Sequence, residues 1–303
     1  MDKLKAIATF VRIVDTGSLT AAADAAGTSL TSVVRSLAAL EQSLGTRLLN
    51  RTTRRLSLTP EGRDYAERCR HILAAVNEAD AALGEQKGAL SGRLALTAPV
   101  TFGRLHVAPL VTSFLKQHPD VSVELLLLDR VVDLLEEGLD LAVRIGVLPD
   151  SPLVAVPAGS VRRICCASPA YLRRHGTPRR PQDLLDHRCI GFKGSGPDPD
   201  WRFSLEGRIV RVPVRPVFVT NQIETSVDAC IAGVGVASLL EYQARAGLAS
   251  GALKTVLSDH ETGPLPVNIL YRPDRLMPTR VRALLDWLVP RLRKSLGTTP
   301  SKG

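Results

Sequence analysis

Residues 18–59, SLTAAADAAGTSLTSVVRSLAALEQSLGTRLLNRTTRRLSLT, carry two short helical patterns about a glycine turn and then an arginine-loaded hairpin. Ser18 is placed to cap a helix whose packing face is Leu19, Ala22, Ala23 and Ala26, because a serine hydroxyl accepts from an otherwise unpaired N–H. Gly27 supplies the turn, and Thr28 or Ser29 caps the next helix. In that helix Val33, Leu37, Leu40 and Leu44 are spaced four, three and four, an inward stripe that leaves Thr31, Ser32 and Arg35 pointing elsewhere. Leu48–Leu49 and Leu56–Ser57–Leu58 flank a polar tip, Asn50 to Arg55, as two short strands. Upstream, Leu4, Ile7, Phe10, Val11 and Val14 mark one apolar face of a first helix. The order is that of a helix-turn-helix with a basic wing, an arrangement that holds a helix in the DNA major groove.

Charge placement supports the same reading. No acidic residue stands between Glu41 and Glu61, where Arg47, Arg51, Arg54 and Arg55 all fall. Ser29, Thr31, Ser32 and Arg35 are the residues expected to read base edges, and Arg51, Thr53, Arg54 and Arg55 those expected on phosphates or in the minor groove. For any one arginine a solvated surface charge is the competing reading; a cluster on a wing favours DNA.

The bulk numbers set bounds. The 303-residue chain is too long for one small domain, its 45% hydrophobic content is ordinary for a globular protein, and its formal net charge of +9 suits a polyanionic partner or merely a soluble surface. Five scattered cysteines lack metal or redox spacing, which suggests small buried hydrophobes in a reducing compartment. Cys165 and Cys166 are adjacent in a strand-like run and so point to opposite faces. The first residues show no secretory pattern, and no apolar run approaches the ~20 residues that span a bilayer. A cytoplasmic protein with no membrane association is expected.

Thr59-Pro60-Glu61 starts a long helix. Along it Tyr65, Cys69, Ile72, Val76, Ala79 and Leu83 alternate by four and three, a heptad seam. Such a rod either pairs with a second copy or packs on its own domain; a rod wedged between two units has little of its own chain to cover the seam, which favours a dimer. Gly84, Gly88 and Gly92 mark a hinge at its end. From Arg93 the texture becomes α/β. LALTA, VSVELLLL, DLAVRI, RRICCAS, RCIGF, PVFVT and VNILY read as strands, with helices at 102–117 and 222–233 between them, in mostly parallel sheets. The helix from Arg280 to Leu296 reads as a covering helix.

These residues resemble the LysR-type transcriptional regulators. Phe10 and Ile13, then Gly17, Ser18, Thr20 and Ala21–Ala23, then Leu40–Glu41, Leu44–Gly45, Leu48, Arg51, Leu58–Thr59 and Gly62 follow that family's N-terminal pattern, with Ile13 in place of valine. The stretch from GRLALTAPVTFGRLH to DLAVRIG, with CASPAYLRRHGTP and IAGVGVASL, is similar to its effector domain, so the likeness is essentially full length. Leu30 and Val34 stand where glutamine and serine are common in the family, which leaves the operator sequence open. The resemblance implies a multidomain chain. It has an N-terminal all-α winged helix-turn-helix over 1–59 and a linker and dimerisation helix over 60–88. A C-terminal α/β effector domain follows over 89–303, made of two Rossmann-like subdomains built like a periplasmic binding protein. Subdomain 1 is expected at about 92–161 and 267–296, subdomain 2 at about 162–266. The implied partners are double-stranded promoter DNA, a small-molecule effector, further copies of the chain as a homodimer or homotetramer, and the transcription machinery. No cofactor, metal or catalytic residue is implied.

Local physics sharpens the effector site. Thr97-Ala98-Pro99-Val100-Thr101 joins a strand end to a helix start, where free N–H groups favour an anion or polar ligand. Asn221 is similarly placed, and Arg144 at the end of a strand suits a carboxylate. With Val100, Phe102 and Gly146 these make the expected site for a small organic acid. Two readings stay open: the threonines and Asn221 as helix caps, and Arg144 as a structural ion pair. An enzyme is the rival class, yet no G-x-S-x-G elbow, P-loop or HExxH is present, and GVGVAS at 233–238 follows a helix rather than a strand.

Overall fold

The computed structural model describes residues 2–52, 55–83, 90–194, 201–273 and 277–297. The chain divides into two compact units, Met1–Gly92 and Arg93–Gly303.

In the first unit α1 (Lys3–Thr16), α2 (Leu19–Ala25) and α3 (Leu30–Leu44) are each started by a polar side chain: Asp2, Ser18 and Ser29 accept from the backbone N–H of Lys5, Ala21 and Ser32. The sequence left Thr28 and Ser29 open as the cap of α3; Ser29 takes the role at 3.2 Å. Gly27, at φ 60°, turns α2 into α3 in a conformation that side-chain-bearing residues resist. Phe10, Ile13, Leu37 and Leu40 have no exposed surface and, with Ala22, Ala23 and Val33, form the core. The wing is an antiparallel pair, β1 (Leu49–Thr52) and β2 (Arg55–Leu58), with Leu49 opposite Leu58. The 24-residue α4 (Pro60–Leu83) follows.

Two seam residues of α4 face inward. Cys69 is fully buried in the unit's own core, and the Tyr65 ring lies 5.9 Å from that of Phe10 on α1. Tyr65, partly buried, and Cys69 thus pack into the core of their own unit. The reason is that α1 packs along the beginning of α4, covering its apolar face at Ala66, Cys69 and Leu73. Ile72, by contrast, is 44% exposed, and Val76 is half-buried. The side chains of Ala79 and Leu83 lie outside the described residues, as do Gly84 and Gly88.

The second unit holds two five-stranded sheets. One has β4 (Val121–Leu127) at its edge, then β3 (Gly92–Ala98), β5 (Leu141–Ile145), β14 (Leu265–Tyr271) and β6 (Val154–Val161). The other runs β11 (Pro216–Thr220), β8 (Cys189–Phe192), β12 (Val236–Leu240), β7 (Arg163–Ala167), β13 (Lys254–Val256). A separate hairpin pairs β9 (Trp201–Leu205) with β10 (Arg208–Val212). Both sheets are mixed, not mostly parallel: β3 runs with β5, and β8 with β11 and β12, but β14 opposes β5 and β6, and β7 opposes β12 and β13. The chain leaves the first sheet along β6 and returns along β14, so the crossing strands lie side by side in opposite directions.

From β3 the chain enters α5 (Val100–Phe102), passes a π-helical turn (Gly103–Val107) and continues as α6 (Ala108–Gln117). Four further helices, α7 (Pro169–His175), α8 (Ile223–Ile231), α9 (Glu241–Ala249) and α10 (Thr279–Ser295), cover the sheets. α10 buries Leu284, Leu285, Leu288 and Leu292, and its Trp287 indole donates to the Leu110 carbonyl at 3.0 Å. β7 shows the expected alternation: Cys165 belongs to one apolar cluster and Cys166 to the cluster on the other face. All five cysteines are buried and free.

A candidate DNA-binding surface and effector cleft

The outward face of α3 is polar at its start. Ser29, Thr31, Ser32 and Arg35 are all exposed, and Val33, Leu37 and Leu40 anchor the opposite side. Leu30, the first helical residue, is 45% exposed, a large apolar side chain with no core role. Thr53 and Arg54 of the wing lie outside the described residues, as do the side chains of Arg51 and Arg55.

Three residues fix the wing against the helices: Glu41 and Gly62, which entered the sequence reading through the family pattern, and Thr59, which was also expected to start α4. The Glu41 carboxylate, from the last turn of α3, accepts from the backbone N–H of Leu48 at 2.8 Å and of Leu49 at 3.2 Å. It thereby pairs two amides at the start of β1 that would otherwise be left without partners. Thr59 Oγ1 donates to the Arg47 carbonyl at 2.9 Å and accepts from Gly62 N at 2.9 Å, capping α4 while gripping the chain before β1. Gly62 must be glycine: a Cβ there would stand 1.9 Å from the Leu48 carbonyl oxygen. The wing is thus held by α3 at one end and α4 at the other.

In the second unit the expected effector residues other than Asn221 lie at or just beyond the carboxyl ends of β3 and β5, whereas Asn221 follows β11 of the other sheet. Thr97 is wholly buried on β3, opposite Ala142 of β5. Arg144 lies two residues further along β5, so the period of two puts it on the face of Ala142. Thr97 Oγ1 and Arg144 Nη2 are buried and have no hydrogen-bond partner. Burial pulls the Arg144 guanidinium below its usual range, while Glu137 and Asp129 act to raise it. The Gly146 N–H donates to the Pro266 carbonyl at 2.8 Å.

The helix start is already occupied by the chain's own acids. Val100 N donates to Asp129 Oδ1 at 3.1 Å, and Thr101 Oγ1 donates to Glu224 Oε1 at 2.6 Å. Thr101 belongs to the helix after β3 and Glu224 to the first turn of α8 over the other sheet, so this bond ties the two halves together. Burial raises the Asp129 carboxyl, Glu224 adds to that, and the Val100 amide and Arg144 oppose it. Phe102, fully buried, stacks near His106 at 4.8 Å and meets Tyr242 of α9 edge-on at 5.5 Å, a second bridge between the halves. Asn221 is exposed, and the α8 start has no side-chain cap. Asp129, Glu224, His106 and Tyr242 were not singled out by sequence reading. Their only prior signal was polarity near element ends, which dozens of residues share.

A three-helix unit with a wing, and an α/β unit of two sheets crossed twice by the chain, define a DNA-binding protein with a ligand-binding-type domain. The sequence matches two family models: "Bacterial regulatory helix-turn-helix protein, lysR family" over residues 4–63, and "LysR substrate binding domain" over 87–293. It is 36% identical to the probable HTH-type transcriptional regulator LtrA of Klebsiella pneumoniae, covering 100% of this chain and 99% of that one. Among solved structures, the LysR-type regulator CrgA of Neisseria meningitidis is 30% identical over 95% of this chain and 98% of that one, with a TM-score of 0.60. The virulence activator AphB of Vibrio cholerae is 29% identical over 95% of this chain and 99% of that one, with a TM-score of 0.61. The chain belongs to the LysR family of transcriptional regulators, with a DNA-binding helix-turn-helix and a substrate-binding domain. Among the described residues no single helix is long and apolar enough to cross a membrane.

Proposed function

We propose that this regulator binds promoter DNA by laying the start of α3 in the major groove, with Ser29, Thr31, Ser32 and Arg35 toward the base edges and Arg51, Thr53, Arg54 and Arg55 on the flanking backbone. The observation that carries this is the outward polar face of α3, backed by three fully anchored apolar residues. Leu30 and Val34 meet thymine methyl groups where a glutamine would make a bidentate contact. The chain acts as a homodimer or higher homo-oligomer, through the part of α4 beyond the core, where Ile72 is exposed and Val76, Ala79 and Leu83 continue the heptad. The second unit takes a small effector whose anionic or acceptor end meets Arg144 Nη2 and Thr97 Oγ1, two of the four buried polar atoms, with His106 Nε2 and Ser226 Oγ, that lack a hydrogen-bond partner among the described residues. Regulation, not catalysis, is its role, and the effector biases the DNA-binding heads by favouring one cleft geometry.

The test is selection of duplexes from a random library by the full chain. A recovered consensus of two half-sites separated by helical turns, bound by a pair of protomers, supports the reading. Arg35→Ala then lowers affinity for the consensus roughly 10-fold or more, as loss of one base contact does. Equal retention of selected and random duplexes refutes it.

A further inference from the structure

The chain's positive charge is not confined to the helix-turn-helix. Residues 168–215 carry ten arginines and lysines against five acids, a net of +5; residues 1–59 carry eight against four, a net of +4. The stretch 168–215 builds a layer over one face of the sheet that holds β7 and β12. Tyr171 of α7, Leu184 of the 3-10 turn Pro181–Leu185, and Phe203 and Val212 of the β9–β10 hairpin pack with Cys165, Ala167 and Val236 of that sheet. With those side chains buried, the exposed side of the layer faces away from the sheet.

Arginines occupy that exposed side. Arg173, Arg174, Arg179, Arg180, Arg208 and Arg211 are all exposed, and none makes an ion pair among the described residues. The His260 ring lies 3.2 Å from both the Arg179 and the Ser204 carbonyl oxygens, which holds the Arg179–Arg180 segment beside the hairpin. On the hairpin Arg211 stands directly opposite Arg202, placing two like charges on one face. Of the five acids, Asp183 accepts from the backbone N–H of Arg179 and Arg180 at 2.8 and 2.9 Å. Asp186 and Glu206 are exposed, and Asp198 and Asp200 lie outside the described residues. The arginines of α10 differ, because the fold uses them: Arg280 donates to the Arg93 carbonyl, Arg293 to that of Pro157, and Arg291 lies over the Trp287 ring.

Phosphate suits this surface better than an acidic protein does. Protein partners meet at a largely apolar centre, and the large apolar side chains exposed on these elements are Leu185 and Ile209 alone. Interfaces with DNA are more polar and far more positive. We propose that this layer of the effector unit is a second DNA-contacting surface, one that holds phosphates of the duplex flanking the stretch met by α3. It reads no sequence and contributes affinity and salt dependence. That rests on the DNA reading above, in which α3 and the wing hold the half-sites.

The full chain is titrated with the selected consensus duplex in two lengths, the half-sites alone and the same extended by about 20 base pairs, two helical turns, on each side. The parent should bind the longer duplex at least about tenfold tighter at low salt, with a steeper salt slope. Replacing Arg179, Arg180, Arg208 and Arg211 together by glutamine should erase that gain and reduce the slope on the long duplex by about 2–4. Affinity for the short duplex and the melting midpoint should stay unchanged. Lysine at the same four positions should restore most of the gain, since a point charge suffices for phosphate. A glutamine variant that keeps the full gain, or that loses affinity equally on both lengths, overturns the second surface. So does one that changes only the assembly state in sedimentation, which would assign the layer to a protein contact. In each of these cases Arg35→Ala still weakens both lengths and the first DNA reading stands; a parent that binds neither duplex overturns both.

Discussion

Glu41→Ala tests the joint between the recognition helix and the wing. The Glu41 carboxylate is the acceptor for two backbone amides, Leu48 N at 2.8 Å and Leu49 N at 3.2 Å, in partly buried surroundings. A hydrogen bond to a charged group contributes about 1.5–3 kcal/mol, with partial exposure favouring the low end. The longer of the two bonds counts for less, so removing the carboxylate should cost about 2–3 kcal/mol. For a unit of this size 1 kcal/mol moves the midpoint by about 4–8 °C. The transition of the DNA-binding unit should therefore fall by roughly 10 °C or more, with the effector unit unaffected. Glu41→Gln retains a neutral acceptor and should lose about half as much. The assay is calorimetric unfolding of the full chain combined with hydrogen exchange at Leu48 and Leu49, which should lose protection in the alanine variant. Unchanged protection at both amides, together with a midpoint shift under 2 °C, would refute the reasoning. Glu41 would then be a solvated surface acid that merely lies nearby.

Two further outcomes follow from close contacts. Gly62→Ala places a Cβ 1.9 Å from the Leu48 carbonyl oxygen, a backbone atom that cannot rotate away. It should destabilise the DNA-binding unit by about 3 kcal/mol or more and abolish binding to a selected duplex at 37 °C; a variant with parental melting and binding contradicts this. His106 is held below its ordinary value of 6.5 by burial and secondarily by Arg245. The unfolded chain therefore takes up this proton first, and the effector unit loses stability as pH falls below about 6.5 toward the depressed folded value. His106→Gln should remove that part of the acid-side loss, read as a smaller drop in urea midpoint between pH 7.5 and 5.5 than in the parent. An equal or larger drop sinks the assignment.

Local periodicity was enough for the DNA-binding unit. Helices of about two to four turns, each with an apolar stripe and a serine or glycine at its ends, can be read from spacing alone, and Val33, Leu37 and Leu40 lie where their spacing puts them. The effector unit was harder. Strands β3, β4, β5, β7, β8, β11 and β14 stand out as β-branched or leucine runs, but β6 was not recognised. Pro157 and Gly159 interrupt its pattern, and it is an edge strand, where a proline costs no ladder bond. The short β12 and β13 were hidden in the same way, by length and by flanking glycines. Antiparallel pairing in both sheets was also invisible, since strand direction depends on where the chain crosses and not on composition.

What the amino acids settle alone is whatever depends on neighbours in sequence: which stretches are helical, which face of each is apolar, where a cap or a turn must fall, and the family to which that pattern belongs. Cys69 shows the boundary. Its heptad spacing is a property of α4 by itself, yet what covers the seam at Cys69 is decided only once α1 is folded against it, and at that position α1 does so. The cleft shows it again. Thr101 and Glu224 are 123 residues apart and share a 2.6 Å bond. No local pattern couples them, because their partnership is made by two sheets whose strands the chain visits, leaves and revisits.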